Sequence, residues 1–454
     1  MARQFVTVNY EDSLKQTLTI EECLPPDHLA RFIVGIIAML DLGAIYARYA
    51  EVGGAAFAPE LLLGLLFYGY ASGVFSSRKL EKATYESMPF RFMAGGLHPD
   101  HDTLAHFRKT FLPQISELFV QVLLVAVDLG VLKVGQINVS FDGSKIHADA
   151  SKSQAVSYDR LLELETLLRR EVAELLALGE KADQEPLPAG LDLAAEVALR
   201  QERLSNLAAA KRVLEARAQE RYAAEQAEYA AKLAARTAKA AETGHQPRGR
   251  EPQPPTPGPR PDDQYNFTDP DSRIMKNSTD QGFNQAYNAQ AVVDQASLLA
   301  IGNRVTNHPN DKNETLPDLD AVPAAVGRPQ AAAGDNGFYS AANIAGLEAR
   351  AIEPYLATGR EPHHQNWREY FAAPPAPPPA DASPVVKMAH KLRSELGQAI
   401  YRLRKCTVEP VFGIIKETLG FRQFSLRGLA AVAGEWCLVC LAFNLKRLHV
   451  LTAN

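Results

Sequence analysis

The sequence predicts an α/β protein in which a helical N-terminal region precedes a mixed-sheet core, and a block of helices interrupts that core. Three observations lead to this prediction. Apolar residues recur at helical spacing up to about residue 130. Strand-like alternation begins at about Val134 and resumes only after a long block rich in Ala, Leu and Glu. The later strands then alternate with helices, as they do in α/β folds.

The N-terminal region, residues 1–133, is predicted to be a helical DNA-binding domain. Two segments, 59–79 and 95–109, each place a turn rich in Gly, Pro or Ser before a helix that carries basic residues. Such an arrangement suits contacts with phosphates or with a DNA groove. The candidate contact residues are Arg78, Lys79, Arg108 and Lys109.

A helical insertion, residues 156–261, is predicted to divide the core into 134–155 and 262–454. Up to residue 243 it consists mainly of Ala, Leu, Glu, Arg and Lys at helical spacing, and the breakers at 186–190 split it. Two long helices that fold back as a hairpin are therefore expected. The Pro- and Gly-rich residues 244–261 are typical of an extended linker.

The core strands follow from alternating apolar residues. Residues 136–142 are predicted as a strand with one buried face, after which Gly143 and Ser144 bend the chain. Residues 286–294 and 298–306 are predicted to pair as an antiparallel hairpin. The elements expected after this hairpin are a helix at 313–326, a strand at 331–335, a helix at 341–350, a strand at 352–357 and a long helix from about 386.

Two aspartates end predicted strands of this core. Asp142 closes the first strand, and Asp335 closes a short later strand ahead of a turn. In a fold with this strand order the two strand ends can lie side by side at the sheet centre, so both carboxylates would enter one cleft. Glu409 lies on the late helix. For a single aspartate at a strand end, a cap or turn role is the commoner interpretation.

Carboxylates that converge without cationic partners repel each other unless a divalent metal lies between them. Oxygen-only ligation favours Mg²⁺, with Mn²⁺ able to substitute. A pair of such ions would activate an attacking water or 3′-hydroxyl and stabilise the leaving oxygen of a phosphodiester. Asn307, His308 and Asp311, which follow a strand, are candidates for supporting the site or contacting DNA, and a turn role is equally compatible with them.

At these residues the sequence resembles bacterial insertion-sequence transposases of the DDE type, which have an RNase H-like catalytic fold. Four ordered motifs carry the resemblance, and the N-terminal stretches 61–79 and 90–109 are similar to the DNA-binding part of one subgroup. The motifs are a first-aspartate strand at 141–148, a second-aspartate turn at 334–340, a Tyr-Arg-Glu-Lys signature at 401–416, and a hairpin region at 266–273 and 287–294.

The resemblance implies a two-metal enzyme that cuts DNA at the ends of a mobile element and joins the freed 3′ ends to target DNA. Asp142, Asp335 and Glu409 match the metal-binding triad of the family. The implied partners are double-stranded DNA, as terminal inverted repeats and target, and further copies of the chain in a dimer or larger assembly. The insertion helices and the helix at 430–450 are the expected association surfaces.

The signature also implies DNA contacts. Tyr401, Arg404 and Lys416 occupy the places of the Tyr, Arg and Lys that grip the DNA end. The family leaves three residues between Arg and Glu, whereas four separate Arg404 from Glu409 here. Lys405 lies at the regular spacing and is an alternative source of the cation.

Composition agrees with a cytoplasmic protein and predicts no membrane partner. The longest apolar stretch, residues 61–75, is shorter than the ~20 residues of a membrane span, and the N-terminus lacks the pattern of a secretion signal. The pair Cys437 and Cys440 has a spacing found in zinc sites, but its apolar helical surroundings favour buried side chains. Residues 384–454 hold eleven Lys or Arg against four Asp or Glu, although the chain has a net charge of −5.

The basic C-terminal segment can bind phosphates, and a solvated helix face is the alternative. Three other functions stay open at this point. A nuclease with the same carboxylates would hydrolyse DNA without joining it. A DNA-binding descendant would have lost catalysis, although all three acids are present here. A helical scaffold, suggested by the long helical block, would leave the other motifs unexplained.

Overall fold

The computed structural model describes residues 17, 19–50, 55–181, 187–245, 249–276, 282–359 and 377–453. The chain divides into two compact units. The first comprises Met1–Asp149 and Ala286–Asn454, and the second comprises Ala150–Gln285. The predicted boundary at residue 133 therefore lies inside the first unit.

The N-terminal part of the first unit is helical. Its central helix has apolar residues all round and is buried on nearly every side, as expected of a helix enclosed by others. The helices are α1 (Ile20–Cys23), α2 (Leu29–Ile37), α3 (Gly43–Tyr46), the central α4 (Pro59–Ala71), α5 (Ser77–Glu86), α6 (Met88–Met93), α7 (His101–Thr110) and α8 (Leu112–Asp128).

The strands of the described residues follow in chain order. They are β1 (Asn138–His147), β2 (Ala155–Ser157), β3 (Gln264–Asn266), β4 (Arg273–Lys276), β5 (Phe283–Asp294), β6 (Ala300–Thr306), β7 (Ala331–Gly334) and β8 (Glu353–Leu356). In the first unit the strand order is β6–β5–β1–β7–β8. The pairs β6–β5 and β5–β1 are antiparallel, whereas β1–β7 and β7–β8 are parallel, so the sheet is mixed.

The predicted hairpin is confirmed, because β5 pairs with β6 in antiparallel register. The predicted bend at Gly143 and Ser144 is wrong. β1 runs straight through both residues and pairs with β5 as far as His147. Gly143 instead permits close packing, since a Cβ atom there would lie only 2.3 Å from the Gln290 side-chain nitrogen.

The second unit contains the predicted helical hairpin. Its helices are α9 (Tyr158–Lys181) and α10 (Leu193–Thr243), which pack against each other through a small apolar cluster. The Asp192 side chain caps the start of α10 by accepting from the Ala195 amide at 3.0 Å. The short strands β2 and β3 pair beside the hairpin.

The remaining helices of the first unit are α11 (Thr315–Asp320), α12 (Ala341–Ala349), α13 (Pro384–Arg393), α14 (Glu395–Gly413) and α15 (Leu429–Thr452). α11 is shorter than the helix predicted at 313–326, because Pro323 cannot continue a helical hydrogen-bond ladder. The predicted late helix is divided at Ser394, whose side chain caps α14 by accepting from the Gly397 amide. α14 packs against β1 and β7.

The last helix, α15, forms part of the core and packs against β6, α4 and α8. It is long and apolar enough to cross a membrane by length and composition, but most of it is buried inside the first unit. Its polar residues form buried hydrogen bonds, as Asn444 does with the backbone of Ala300. The expectation that this helix is an association surface is therefore wrong. Cys437 and Cys440 are both buried within it.

Candidate active site

Asp335 directly follows the end of β7, and Asp142 lies within the neighbouring central strand β1. The prediction that Asp142 closes its strand is wrong, because β1 continues to His147. The parallel strands β1 and β7 pair in a register that sets Ser140 opposite Ala333. Each aspartate follows two residues later on its own chain segment, so the two side chains fall on the same face of the sheet. A turn begins at Asp335, whose carboxylate accepts from the Gly337 amide at 2.7 Å.

The electrostatics of Asp142 reflect this proximity. Burial and, second, the negative charge of Asp335 raise the pKa of its carboxyl from the ordinary value of 3.8 to about 7. A hydrogen bond from the Gly143 amide, at 2.8 Å, and the charge of Arg404 act the other way. The two acids therefore form a site that favours an added positive charge.

Glu409 is held by an arginine of its own helix. The Arg404 guanidinium lies 3.1 Å from a Glu409 carboxylate oxygen, and its side chain is only 9% exposed against 49% for Glu409. The same guanidinium attracts Asp142 electrostatically. Arg404 thus supplies positive charge to two of the three predicted acids. Among the described residues, no three acidic, His or Cys side chains are close enough together to hold a metal ion.

The other signature residues lie around the same helix. The Tyr401 ring lies 5.7 Å from the Arg404 guanidinium carbon. Lys405, the alternative to Arg404, is exposed on α14. Despite the irregular spacing, Arg404 contacts Glu409 and lies near Asp142.

Lys416 is carried by a short π-helical segment, Ile414–Thr418, that continues α14. Its ammonium donates to the carbonyl of Lys145 at 3.0 Å and to the Ser144 hydroxyl, so it is fixed against β1 just beyond Asp142. Burial, and then the positive charge of Arg422, lower the pKa of Lys416. π-Helical turns are frequent at functional sites.

The basic candidates of the helical region separate into two groups. Arg78 and Lys79 are exposed on α5, and Lys109 is exposed on α7. Arg108 is buried, and its guanidinium donates to the Tyr70 hydroxyl at 2.8 Å and to the Phe75 carbonyl at 3.1 Å. The expectation that Arg108 contacts DNA is wrong, because these contacts hold it inside the helical region.

Asp311 is more closely connected with the site than the sequence indicated. One of its carboxylate oxygens accepts from the side-chain amides of Asn288 at 2.6 Å and Gln290 at 2.8 Å. Asn288 and Gln290 are fully buried on alternate positions of β5. Polar residues at alternate positions of an otherwise apolar strand are the sequence signal that could have identified this network.

The donor set fits a hard divalent cation. The groups that converge at the sheet centre are carboxylates, and the cations beside them are Arg404 and Lys416. Mg²⁺ and Mn²⁺ prefer such oxygen ligands. Burial and the charge of Asp335 raise the pKa of the Asp142 carboxyl, and a bound cation would act against both causes. Asp142, Asp335 and, once separated from Arg404, Glu409 could supply the ligands.

Two family models match the chain. One, described as "Transposase DDE domain", matches residues 381–449, and the other, described as "Transposase domain (DUF772)", matches residues 18–110. The first range includes Glu409 and all of α14, and the second includes the helices α1 to α7. No curated protein and no solved structure matches the chain. The mixed sheet is compatible with the RNase H-like core of DDE enzymes.

Proposed function

Since the chain is an insertion-sequence transposase of the DDE type, a metal-dependent enzyme that cuts DNA and transfers the strand, we propose that Asp142, Asp335 and Glu409 hold its metal ions. The observation that carries this proposal is the parallel register of β1 and β7, which brings Asp142 and Asp335 together on one face. Their mutual repulsion is what a bound cation would relieve.

The proposed metal is Mg²⁺, with Mn²⁺ able to replace it, because the ligands are oxygens. When bound, such ions activate the attacking water or 3′-hydroxyl and stabilise the leaving oxygen of the phosphodiester. The protein's part is to fix Asp142 within β1 and Asp335 at the end of β7, and to deliver Glu409 from α14. The sheet order supports an RNase H-like core.

Arg404 is proposed to act on the DNA phosphate. Its guanidinium contacts Glu409 and lies near Asp142, so it is within reach of a phosphate bound between these acids. A cation at that place stabilises the charge that develops on the phosphate during reaction. Tyr401 and Lys416, which flank the same site, are proposed to grip the DNA end.

The N-terminal helical region is proposed to bind the element ends. Arg78, Lys79 and Lys109 are exposed there, as phosphate contacts require. The substrates are double-stranded DNA with terminal inverted repeats and a target DNA, and the active species is a dimer or larger assembly on paired ends. The enzyme is proposed to work in the cytoplasm, at the nucleoid.

The decisive experiment measures cleavage and strand transfer of labelled element-end DNA with Mg²⁺, comparing the native chain with Glu409→Gln. We expect the native chain to join DNA, and the variant to bind DNA without cleaving it. Glu417→Gln is the matched control, because Glu417 is an exposed acid of the π-helical segment that continues α14, and it pairs with Arg422. Equal activity in all three proteins would remove Glu409 from the site.

A further inference from the structure

Asp311 lies beside both aspartates of the site. A Cβ atom at Gly143, the residue after Asp142, would lie 2.6 Å from Asp311 Oδ1. A Cβ atom at Gly337, in the turn that Asp335 begins, would lie 4.0 Å from Asp311 Oδ2. One carboxylate therefore approaches both backbone segments that present the predicted metal ligands, and glycine at 143 makes the closer approach possible.

The two oxygens of Asp311 have different surroundings. Oδ1 accepts from Asn288 and Gln290 and lies 3.7 Å from the Lys145 ammonium. The described hydrogen bonds thus hold Oδ1 in place, whereas Oδ2 is the oxygen on the side of Gly337. Two amides from one strand fix the orientation of this carboxylate in the way that supporting residues fix a ligand.

The amides that hold Asp311 also carry buried oxygens that face the site. The side-chain oxygens of Asn288 and Gln290 accept no hydrogen bond from any described residue, although both side chains are fully buried. The Asn288 oxygen would lie 2.8 Å from a Cβ atom at Gly143, so it faces the same small space as Asp311. Buried acceptors without donors are costly, and a cation with its water shell would satisfy them.

We infer that Asp311 is a fourth acidic residue of the metal site, which positions the metal through water molecules that the metal carries. This inference rests on the proposed function, since it takes Asp142 and Asp335 as direct ligands. Mg²⁺ keeps several of its waters in protein sites, and carboxylates of the surrounding shell accept hydrogen bonds from them. The Lys145 ammonium lies beside Asp311 and competes with a bound metal for the negative charge of the Asp311 carboxylate.

The test is a titration of the full chain with Mn²⁺, without DNA, in which electron paramagnetic resonance measures the free ion. Asp311→Asn keeps the shape and can still accept from the two amides, but it removes the charge. We expect it to weaken Mn²⁺ binding by about 10- to 100-fold. Asp311→Glu, which restores the charge, should recover part of the affinity.

Lys145→Gln gives a test of opposite sign. Removing the neighbouring positive charge should tighten Mn²⁺ binding by about 3- to 10-fold. A purely structural role for this network would make both variants bind more weakly. Asp320→Asn is the matched control, because Asp320 ends the following helix and pairs with Arg350 at 2.8 Å; its affinity should equal that of the native chain.

Asp335→Asn separates failure of the inference from failure of the proposed function. If Asp335→Asn weakens Mn²⁺ binding while Asp311→Asn binds as the native chain does, the inference is wrong and the proposed ligands stand. If Asp335→Asn also binds as the native chain does, the proposed metal site itself is wrong. Thermal unfolding of each variant without metal identifies any variant that fails to fold. If Asp311→Asn fails to fold, the Mn²⁺ affinity of Lys145→Gln decides whether the inference stands.

Discussion

Arg108 and Arg404 are both buried arginines on helices, and both were DNA-contact candidates in the sequence. Arg108 donates to a tyrosine hydroxyl and a backbone carbonyl, and through Tyr70 it is linked to the buried carboxylate of Glu435. Arg404 instead contacts Glu409, which is half exposed, and lies near Asp142. Arg108 thus donates to acceptors inside the helical region, whereas Arg404 contacts an acid that is half exposed.

The two networks differ in how completely their acids are compensated. Glu435 also accepts from the backbone amides of Ser425 and Leu426, at 2.8 and 3.0 Å. This carboxylate is therefore surrounded by donors inside the protein. Asp142 has a pKa raised to about 7 by burial and by Asp335. A structural acid is thus satisfied by donors of the fold, whereas the acids of the proposed site still require a ligand.

The largest effect is expected from Arg108→Leu. It removes the donor to Tyr70 and leaves the Glu435 carboxylate buried without that nearby positive charge. We expect a loss of about 3 kcal/mol in the free energy of unfolding, measured as a lower midpoint in urea. Arg91→Leu, on the partly exposed neighbouring helix α6, should change the midpoint far less. Weaker DNA binding by Arg108→Leu at unchanged stability would show that Arg108 contacts DNA as Arg404 is proposed to do.

Arg404→Gln should act on catalysis instead. We expect DNA cleavage to fall by about 100-fold, because a cation beside the reacting phosphate is lost, while the unfolding midpoint changes little. Lys405→Gln is the matched control on the same helix, and it should retain at least about a tenth of the native rate. If Lys405→Gln were the more damaging change, Lys405 would be the signature cation and Arg404 a structural residue.

Asp142→Asn should stabilise the metal-free protein at pH 8. The folded-state pKa of Asp142 lies above its ordinary value, so the group favours folding at low pH and this contribution is lost as pH rises from about 4 to 7. The neutral variant avoids this loss, and we expect a melting temperature about 2–4 °C higher at pH 8. The difference should shrink as pH falls, and near pH 4 the two melting temperatures should come together. A lower melting temperature at pH 8 would show that Asp142 is compensated as Glu435 is.

The smallest effect is expected from the exposed basic residues of the helical region. Replacing Arg78 and Lys79 together by Ala should weaken binding of element-end DNA by about tenfold at 0.1 M salt. The slope of log affinity against log salt should fall by about 2. Lys133→Ala is the control, because Lys133 is exposed but lies outside the helices α5 and α7. An unchanged slope in the double variant would place the DNA on another surface.

Local sequence was sufficient for much of this protein. Alternation and turn residues predicted the β5–β6 hairpin, and helical periodicity with a breaker predicted the α9–α10 hairpin, because both depend on residues close together in the chain. Local sequence also placed Asp335 at a strand end, whereas the predicted strand end at Asp142 is wrong, because β1 continues to His147. The pairing of these two aspartates depends on the parallel register of β1 and β7, which the strand order allowed but did not specify.

The surroundings of the charged side chains depend on contacts between segments far apart in the chain. The partners of Arg108 are Tyr70 and Phe75 on other elements, and the partners of Asp311 come from β5. The sequence predicts a bend at Gly143. In the structure, the lack of a side chain at Gly143 leaves room for Asp311. Periodicity tells which face of an element is apolar, but the burial and charge of a polar group depend on whatever distant segments pack against it.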